Sequence, residues 1–239
     1  IIKVVQNASA AQLFLAEQKR FLMDMREHGV SINNLVDYFE SGETTYAIYD
    51  FVHEQSDTYD FKKIGENLKK MHDLSRTQTY NFPQIVCPDL NTSLLSTIVS
   101  AKQYQNICSI AHEIQEEYKR TVETSVCDII VHFDLILNNI IKPYTLIDTE
   151  GLSRWVVQND LGSIARLGYR NHQYKYMEEI LSWYGSEFTI EQLRIYIYIK
   201  DIAVLNRLIN NHKNIPERRE EIQKRVEHFF DFDIPRKVF

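Results

Sequence analysis

Glycine and proline are scarce, seven and five in 239 residues. That scarcity excludes a chain built of tight turns and long structureless loops and points to a largely helical body. Cysteine is rarer still. Cys87, Cys108 and Cys127 form an odd set with no C-x-x-C spacing, which excludes a disulfide framework or a zinc site of that kind. Reduced thiols in a cytoplasmic protein are the expectation. No stretch approaches the roughly 18 uninterrupted apolar residues of a membrane span, and Ile1-Ile2-Lys3-Val4-Val5 is too short and strand-like for a secretory signal. A cationic excess is missing as well: 27 Lys and Arg face 33 Asp and Glu, a net charge of −6. Nucleic acid is therefore not the expected ligand, because phosphate backbones need clustered cations. H-E-x-x-H, G-x-S-x-G, the Walker loop and the Rossmann glycine motif are all absent.

What is present outlines a globular fold, with 44% hydrophobic and 25% charged residues. Ile1 to Val5 is β-branched and reads as a strand. Ser9 and Gln12 form a capping box, opening a helix to about Glu27 whose buried stripe includes Leu15, Leu22 and Met25. Leu35 to Phe39 reads as a strand, Ser41-Gly42 as a turn, and Thr44 to Val52 as a further strand. Phe61, Ile64, Leu68 and Met71 then share one helix face. Further helices are expected around Leu94 to Ala101, through Ile107, Ala111 and Ile114 to near Glu123, and through Tyr174, Met177, Leu181 and Tyr184. Two more run from Leu193 to Ile209 and from Glu217 to Phe230. Between them, Tyr144 to Asp148 and Leu152 to Gln158 read as a hairpin turning at Thr149-Glu150-Gly151. Strands with one helix, then helices with an inserted hairpin, specify α+β architecture with two lobes and a cleft.

One segment carries chemistry. The apolar run Ile129-Ile130-Val131 leads into His132-Phe133-Asp134-Leu135-Ile136-Leu137-Asn138-Asn139, and Ile140-Ile141 follows. The pattern is H-x-D-x-x-x-x-N on a loop between two short strands. An Asp and an Asn at this spacing suit phosphoryl transfer: the Asp takes or orients the acceptor's hydroxyl proton, and the Asn side-chain oxygen holds Mg²⁺.

This layout resembles the aminoglycoside phosphotransferase and choline kinase-like branch of the protein-kinase-like superfamily, whose loop reads H-G-D-x-x-x-x-N. The resemblance covers nearly the whole chain, with Phe133 standing where the family has Gly. It implies that Asp134 is the catalytic base, His132 a scaffold residue of the loop, and Asn139 a metal ligand. Asp160, in Asp160-Leu161-Gly162, takes the place of the second metal ligand. Lys3 would grip nucleotide phosphates, held by Glu17 on the following helix, and Tyr49-Asp50-Phe51-Val52 would be the hinge whose backbone binds adenine. The implied fold is a two-lobed protein-kinase-like one, with a small mixed β lobe and a larger helical lobe whose β-hairpin carries the metal site. Residues 1–52 would form a partial nucleotide-binding lobe and hinge, and 53–239 the catalytic and substrate-binding lobe. The family has two more strands and a Gly-containing loop before the Lys strand, so a chain starting at Ile1 reads as a piece of a longer protein.

The resemblance implies ATP or GTP and Mg²⁺ as cofactors and a small-molecule hydroxyl acceptor: an aminoglycoside, a choline-like amino-alcohol or a sugar. The acidic balance tips the expectation toward a cationic acceptor. Two rival readings are a pseudokinase-type binding module, favoured by Phe133, and a kinase acting on peptide Ser or Thr, disfavoured by the short segment between Asp160 and the next helix. His72, Trp155, Trp183 and the tyrosines at 174, 176, 184, 196 and 198 are expected to be structural.

Overall fold

The computed structural model describes residues 1–6, 8–85, 95–96, 98–124, 128–185, 188–212 and 219–228. Cys87, Cys127 and Leu94 lie outside these residues, as do the ends of the helix expected over Glu217 to Phe230. Strand β1 (Ile2–Gln6), helix α1 (Ala8–Glu27), and strands β2 (Leu35–Ser41) and β3 (Thr44–Tyr49) come first. The strands form one antiparallel sheet, order β1-β3-β2. β3 is central because its alternate side chains Thr45, Ala47 and Tyr49 are buried, the period of two that one packed face demands. Gly42 supplies the turn between β2 and β3 with φ +64, a conformation that costs glycine little. Helix α1 starts one residue ahead of Ser9, so the expected capping box does not open it.

The rest is mostly helical. α2 (Phe61–Ser75) begins at Asp60, whose carboxylate accepts the Lys63 N–H at 3.0 Å as an N-cap. It buries Ile64, Leu68 and Met71 on the expected face. α3 (Ala101–Glu123), α4 (Gln158–Asn171), α5 (Tyr174–Tyr184), α6 (Ile190–His212) and α7 (Arg219–Val226) complete the larger part. α4 packs against α6 and α5, and α2 against α5. Glycines permit the closest approaches. A Cβ at Gly65 would lie 2.5 Å from the Ile180 carbonyl oxygen, and one at Gly162 would lie 2.4 Å from Tyr196 Cβ. No described helix is long and apolar enough to cross a membrane.

Four short strands stand between α3 and α4: β4 (Ile129–Val131), β5 (Ile140–Ile141), β6 (Thr145–Leu146) and β7 (Ser153–Trp155). β5 pairs with β6 and β4 with β7. The expected hairpin from Tyr144 to Gln158 is thus not formed. Its two halves pair with different partners, and Thr149–Gly151 is a 3-10 turn connecting them. Tyr184, Tyr196 and Tyr198 are buried, but Tyr174, Tyr176 and Trp183 are exposed, contrary to a wholly structural tyrosine set.

Candidate functional site

β4 and β7 hold the start of the motif loop, and a single 3-10 turn, Leu137–Asn139, closes it onto β5. The turn brings Asn139 back on Asp134. Its side-chain nitrogen donates to the Asp134 carbonyl oxygen at 2.8 Å and to the Asp134 carboxylate at 3.3 Å. With Nδ2 committed, Oδ1 remains as an acceptor. The Asn139 carbonyl oxygen accepts the Ile147 N–H at 2.9 Å, tying the loop to the residue just before Asp148. His132 is fully buried and its Nε2 bonds the Ile147 carbonyl oxygen at 2.7 Å. Burial pulls its pKa below the ordinary imidazole value despite the nearby Asp160 charge.

Asp160 does not face a cavity. It sits in the first turn of α4, with no exposed surface. Its carboxylate accepts the backbone N–H of His132 at 2.7 Å and of Phe133 at 3.0 Å, and meets His72 Nε2 at 3.1 Å. His72 in turn bonds the Tyr184 hydroxyl at 2.9 Å. Burial alone would raise the Asp160 pKa, but the His72 and backbone partners outweigh it and hold the group below its usual value. Both oxygens are spoken for by the loop backbone and an imidazole. The metal-ligand expectation for Asp160 is therefore corrected: this carboxylate shapes the loop from behind.

The acid at the front is Asp148. It follows β6 in a left-handed conformation, φ +63, which lies within reach of Asp but is uncommon for non-glycine residues. Lys3 on β1 forms ion pairs with Asp148 and Glu150. Burial works against the Lys3 charge, and those two partners outweigh it and raise the pKa. The carboxylates split: the hydrogen bond with Glu150, and Lys3, hold Asp148 low, whereas burial and Asp148 push Glu150 up. The expected Lys3–Glu17 pair is absent. Glu17 bonds Arg20 and the Asn81 N–H, because its place on α1 points it along the outer side. Its neighbour Gln18 is buried instead, donating to the Thr149 carbonyl oxygen at 2.8 Å and accepting from the Tyr49 hydroxyl at 3.0 Å. Helix α1 thus docks on the Asp148 segment through an amide, one residue after the acid that the spacing suggested.

Two cavities meet at Asn139 and Asp148. One, of about 500 Å³, is lined by Lys3, Tyr49, Asp50, Phe51, Val52 and Ile147 among others. The backbone N–H and carbonyl of Tyr49 are bonded to Ile1 and the Asp50 N–H to Asn34. Among the described residues no hydrogen bond engages the backbone of Phe51 or Val52. The other cavity, of about 740 Å³, is lined by Phe133, Asp134, Glu150, Arg166, Lys200 and Arg207 together with both shared residues. Lys200 donates to the Phe133 carbonyl oxygen and lies 3.8 Å from the centre of its ring. Burial lowers its pKa to about 8 against the pull of Asp160 and Asp134, so the ammonium remains the main form near neutral pH.

No family model matches the chain, and no curated protein does. Solved structures do. A mutant aminoglycoside 2'-phosphotransferase-IIIa with GDP aligns with a TM-score of 0.62 at 12% identity, over 92% of this chain and 82% of that one. A thermostable mutant of aminoglycoside phosphotransferase APH(4)-Ia with AMP-PNP and hygromycin B gives 0.61 at 13%, covering 96% and 85%. The Streptomyces rimosus enzyme APH(3'')-Id with ADP and streptomycin gives 0.55 at 14%, covering 84% and 85%. This chain has the aminoglycoside phosphotransferase fold. Within that fold, Asp134, Asn139 and Lys3 stand around one junction, His132 and Asp160 buttress it, and Glu17 lies apart. Asp148, Glu150, Gln18 and Lys200 were not singled out from the sequence. For Asp148 a signal existed, an acid closing the apolar run Leu146-Ile147 shortly after the Asn139 turn.

Proposed function

We propose that the chain transfers the γ-phosphoryl group of ATP or GTP to a hydroxyl of a small molecule. One observation carries the reading: Asp134 and Asn139 are bonded to each other where two cavities meet, with Asp148 and Lys3 at the same junction. In the transfer, the bond between the γ-phosphorus and its bridging oxygen breaks and a bond from the acceptor oxygen forms. The nucleoside diphosphate leaves, and Asp134 takes the hydroxyl proton. The smaller cavity would hold the nucleotide, its base against the Phe51–Val52 backbone and its phosphates near Lys3.

Mg²⁺ fits the donors present. Asp148 and Asn139 Oδ1 are hard oxygen ligands, and an ammonium already rests against the Asp148 carboxylate. Among the described residues no group of three His, Cys, Asp or Glu could hold a metal ion. Mg²⁺ needs no such cage, since it is ordinarily bound by one or two carboxylates together with substrate phosphates and water. When bound it neutralises charge on the β- and γ-oxygens.

Replacing Asp134 with Asn removes the proton acceptor and keeps the shape. Turnover, read as diphosphate release with acceptor present, should fall by about 10²–10⁴, with nucleotide affinity and the unfolding midpoint nearly unchanged. Wild-type turnover in that variant removes Asp134 from the role. The hold of Asp148 and Glu150 on Lys3 favours a second reading, a nucleotide-binding module without transfer. A nucleotide-dependent thermal shift with no turnover on any acceptor supports it.

A further inference from the structure

The larger cavity has two chemically different walls. Its loop wall carries Asp134, Asp148 and Glu150, and each is engaged: Asp134 by the Asn139 amide, the other two by Lys3. Its helical wall is cationic. On α6, Lys200, Ala203, Val204 and Arg207 line the cavity, the spacing of three, four and seven that places side chains on one face. On α4, Ser163 and Arg166 do the same.

On α6, Arg194 is paired with Glu113 at 2.6 Å, whereas Lys200 and Arg207 form no ion pair among the described residues. Lys200 is almost fully buried, and its one hydrogen bond among the described residues goes to the Phe133 carbonyl oxygen, leaving two of its three donors. Arg207 is exposed at the rim, and among the described residues it forms no ion pair. Asp201, the residue after Lys200, is shared by Arg166 at 2.7 Å and Arg170 at 2.8 Å. Lys200 and Arg207 lie seven positions apart on the helix, about 10 Å along the axis, with Ala203 and Val204 between them. Asp134 and Asp160 act on Lys200 only through space, and a ligand's negative group entering here would give its remaining donors a direct acceptor.

We propose, resting on the phosphotransferase reading for what the bound molecule does next, that the acceptor carries an oxyanion beside its reactive hydroxyl, with Lys200 and Arg207 as the groups that recognise it. The oxyanion is a carboxylate or a phosphate ester. This goes against the cationic acceptor suggested by the overall charge of −6, because the net charge sums surfaces that never touch the ligand. A polycationic aminoglycoside would bring ammonium groups against Lys200 and Arg207, and like charges in a partly dry cavity repel.

The test is calorimetric titration of the full chain without nucleotide, so its outcome does not depend on transfer. D-glycerate, sn-glycerol 3-phosphate and streptomycin serve as probes, in wild type and in Arg207→Ala, a rim substitution that leaves the core intact. At least one of the two anions should bind, weaken with added salt, and lose about tenfold or more in Arg207→Ala, with streptomycin binding more weakly than either. Whichever anion binds identifies carboxylate or phosphate as the recognised group. The inference is overturned if neither anion binds, if Arg207→Ala leaves anion affinity unchanged, or if streptomycin binds most tightly. Absence of Mg²⁺-nucleotide binding in a parallel titration would remove the phosphotransferase reading alone.

Discussion

Phe133 holds a backbone φ of +69, a left-handed conformation that costs an L-residue about 1–2 kcal/mol. The loop keeps it because the peptide is clamped on both sides, its N–H by Asp160 and its carbonyl by Lys200. Asp160→Ala strips two N–H groups and His72 of their acceptor in a site with no solvent. Each buried donor left unsatisfied costs about 1–3 kcal/mol, to be read from the urea midpoint; a loss under about 1 kcal/mol would contradict the clamp. The pH dependence follows from two depressed groups. Folded His132 titrates below its ordinary 6.5, so below that value the unfolded chain binds more protons, and the contribution present above it is lost as pH falls. Folded Asp160 lies below its ordinary 3.8, and its contribution, complete above that value, is lost at still lower pH. The urea midpoint should therefore drop from about pH 7 to about pH 5 through His132 and further in stronger acid; a midpoint that rises on acidification would show the sign to be wrong.

At the scale of elements, the close approach of α4 to α6 is what delivers Asp160 to the loop. Gly162 permits it, since an added Cβ would fall 2.4 Å from Tyr196 Cβ and 3.1 Å from its backbone carbon. Gly162→Ala must push α4 outward or distort α6, at about 1–3 kcal/mol for overpacking, with turnover lost beyond what the stability change explains. Gly42→Ala, with nothing within 4 Å, is the comparison that bears only the left-handed turn. Helices were legible because a stripe repeats: Ile64, Leu68 and Met71 needed no tertiary information. The small strands were not, since two or three residues hold no period. Tyr144 to Gln158 looks like a hairpin, yet β6 turns back to β5, and β7 goes to β4. That expected pairing put the second acid of the cleft at Asp160, whereas the acid facing both cavities is Asp148. Asp134 and Asn139 do meet, because both lie within one local turn.

Across the whole molecule, contacts remote in sequence assemble the junction. The segment before β2 is tied to β6, with the Asn33 N–H on the Leu146 carbonyl at 2.8 Å and the Leu146 N–H on the Ser31 carbonyl at 3.0 Å. Asn67 of α2 fastens the same segment, accepting from the Ser31 N–H at 2.7 Å. The small sheet bearing Lys3 is thereby fixed against the loop bearing Asp148. Nothing in local spacing announces this, nor that Lys200 meets Phe133 across 67 positions. Asp148, with Asn139, is the proposed seat of a nucleotide's metal. The most direct measurement is calorimetric titration of ATP with and without Mg²⁺ into wild type and Asp148→Asn. Mg²⁺ should tighten ATP binding to the wild type by about tenfold or more, roughly 1.4 kcal/mol, and Asp148→Asn should abolish this gain. A variant that keeps the full Mg²⁺ effect would contradict that seat.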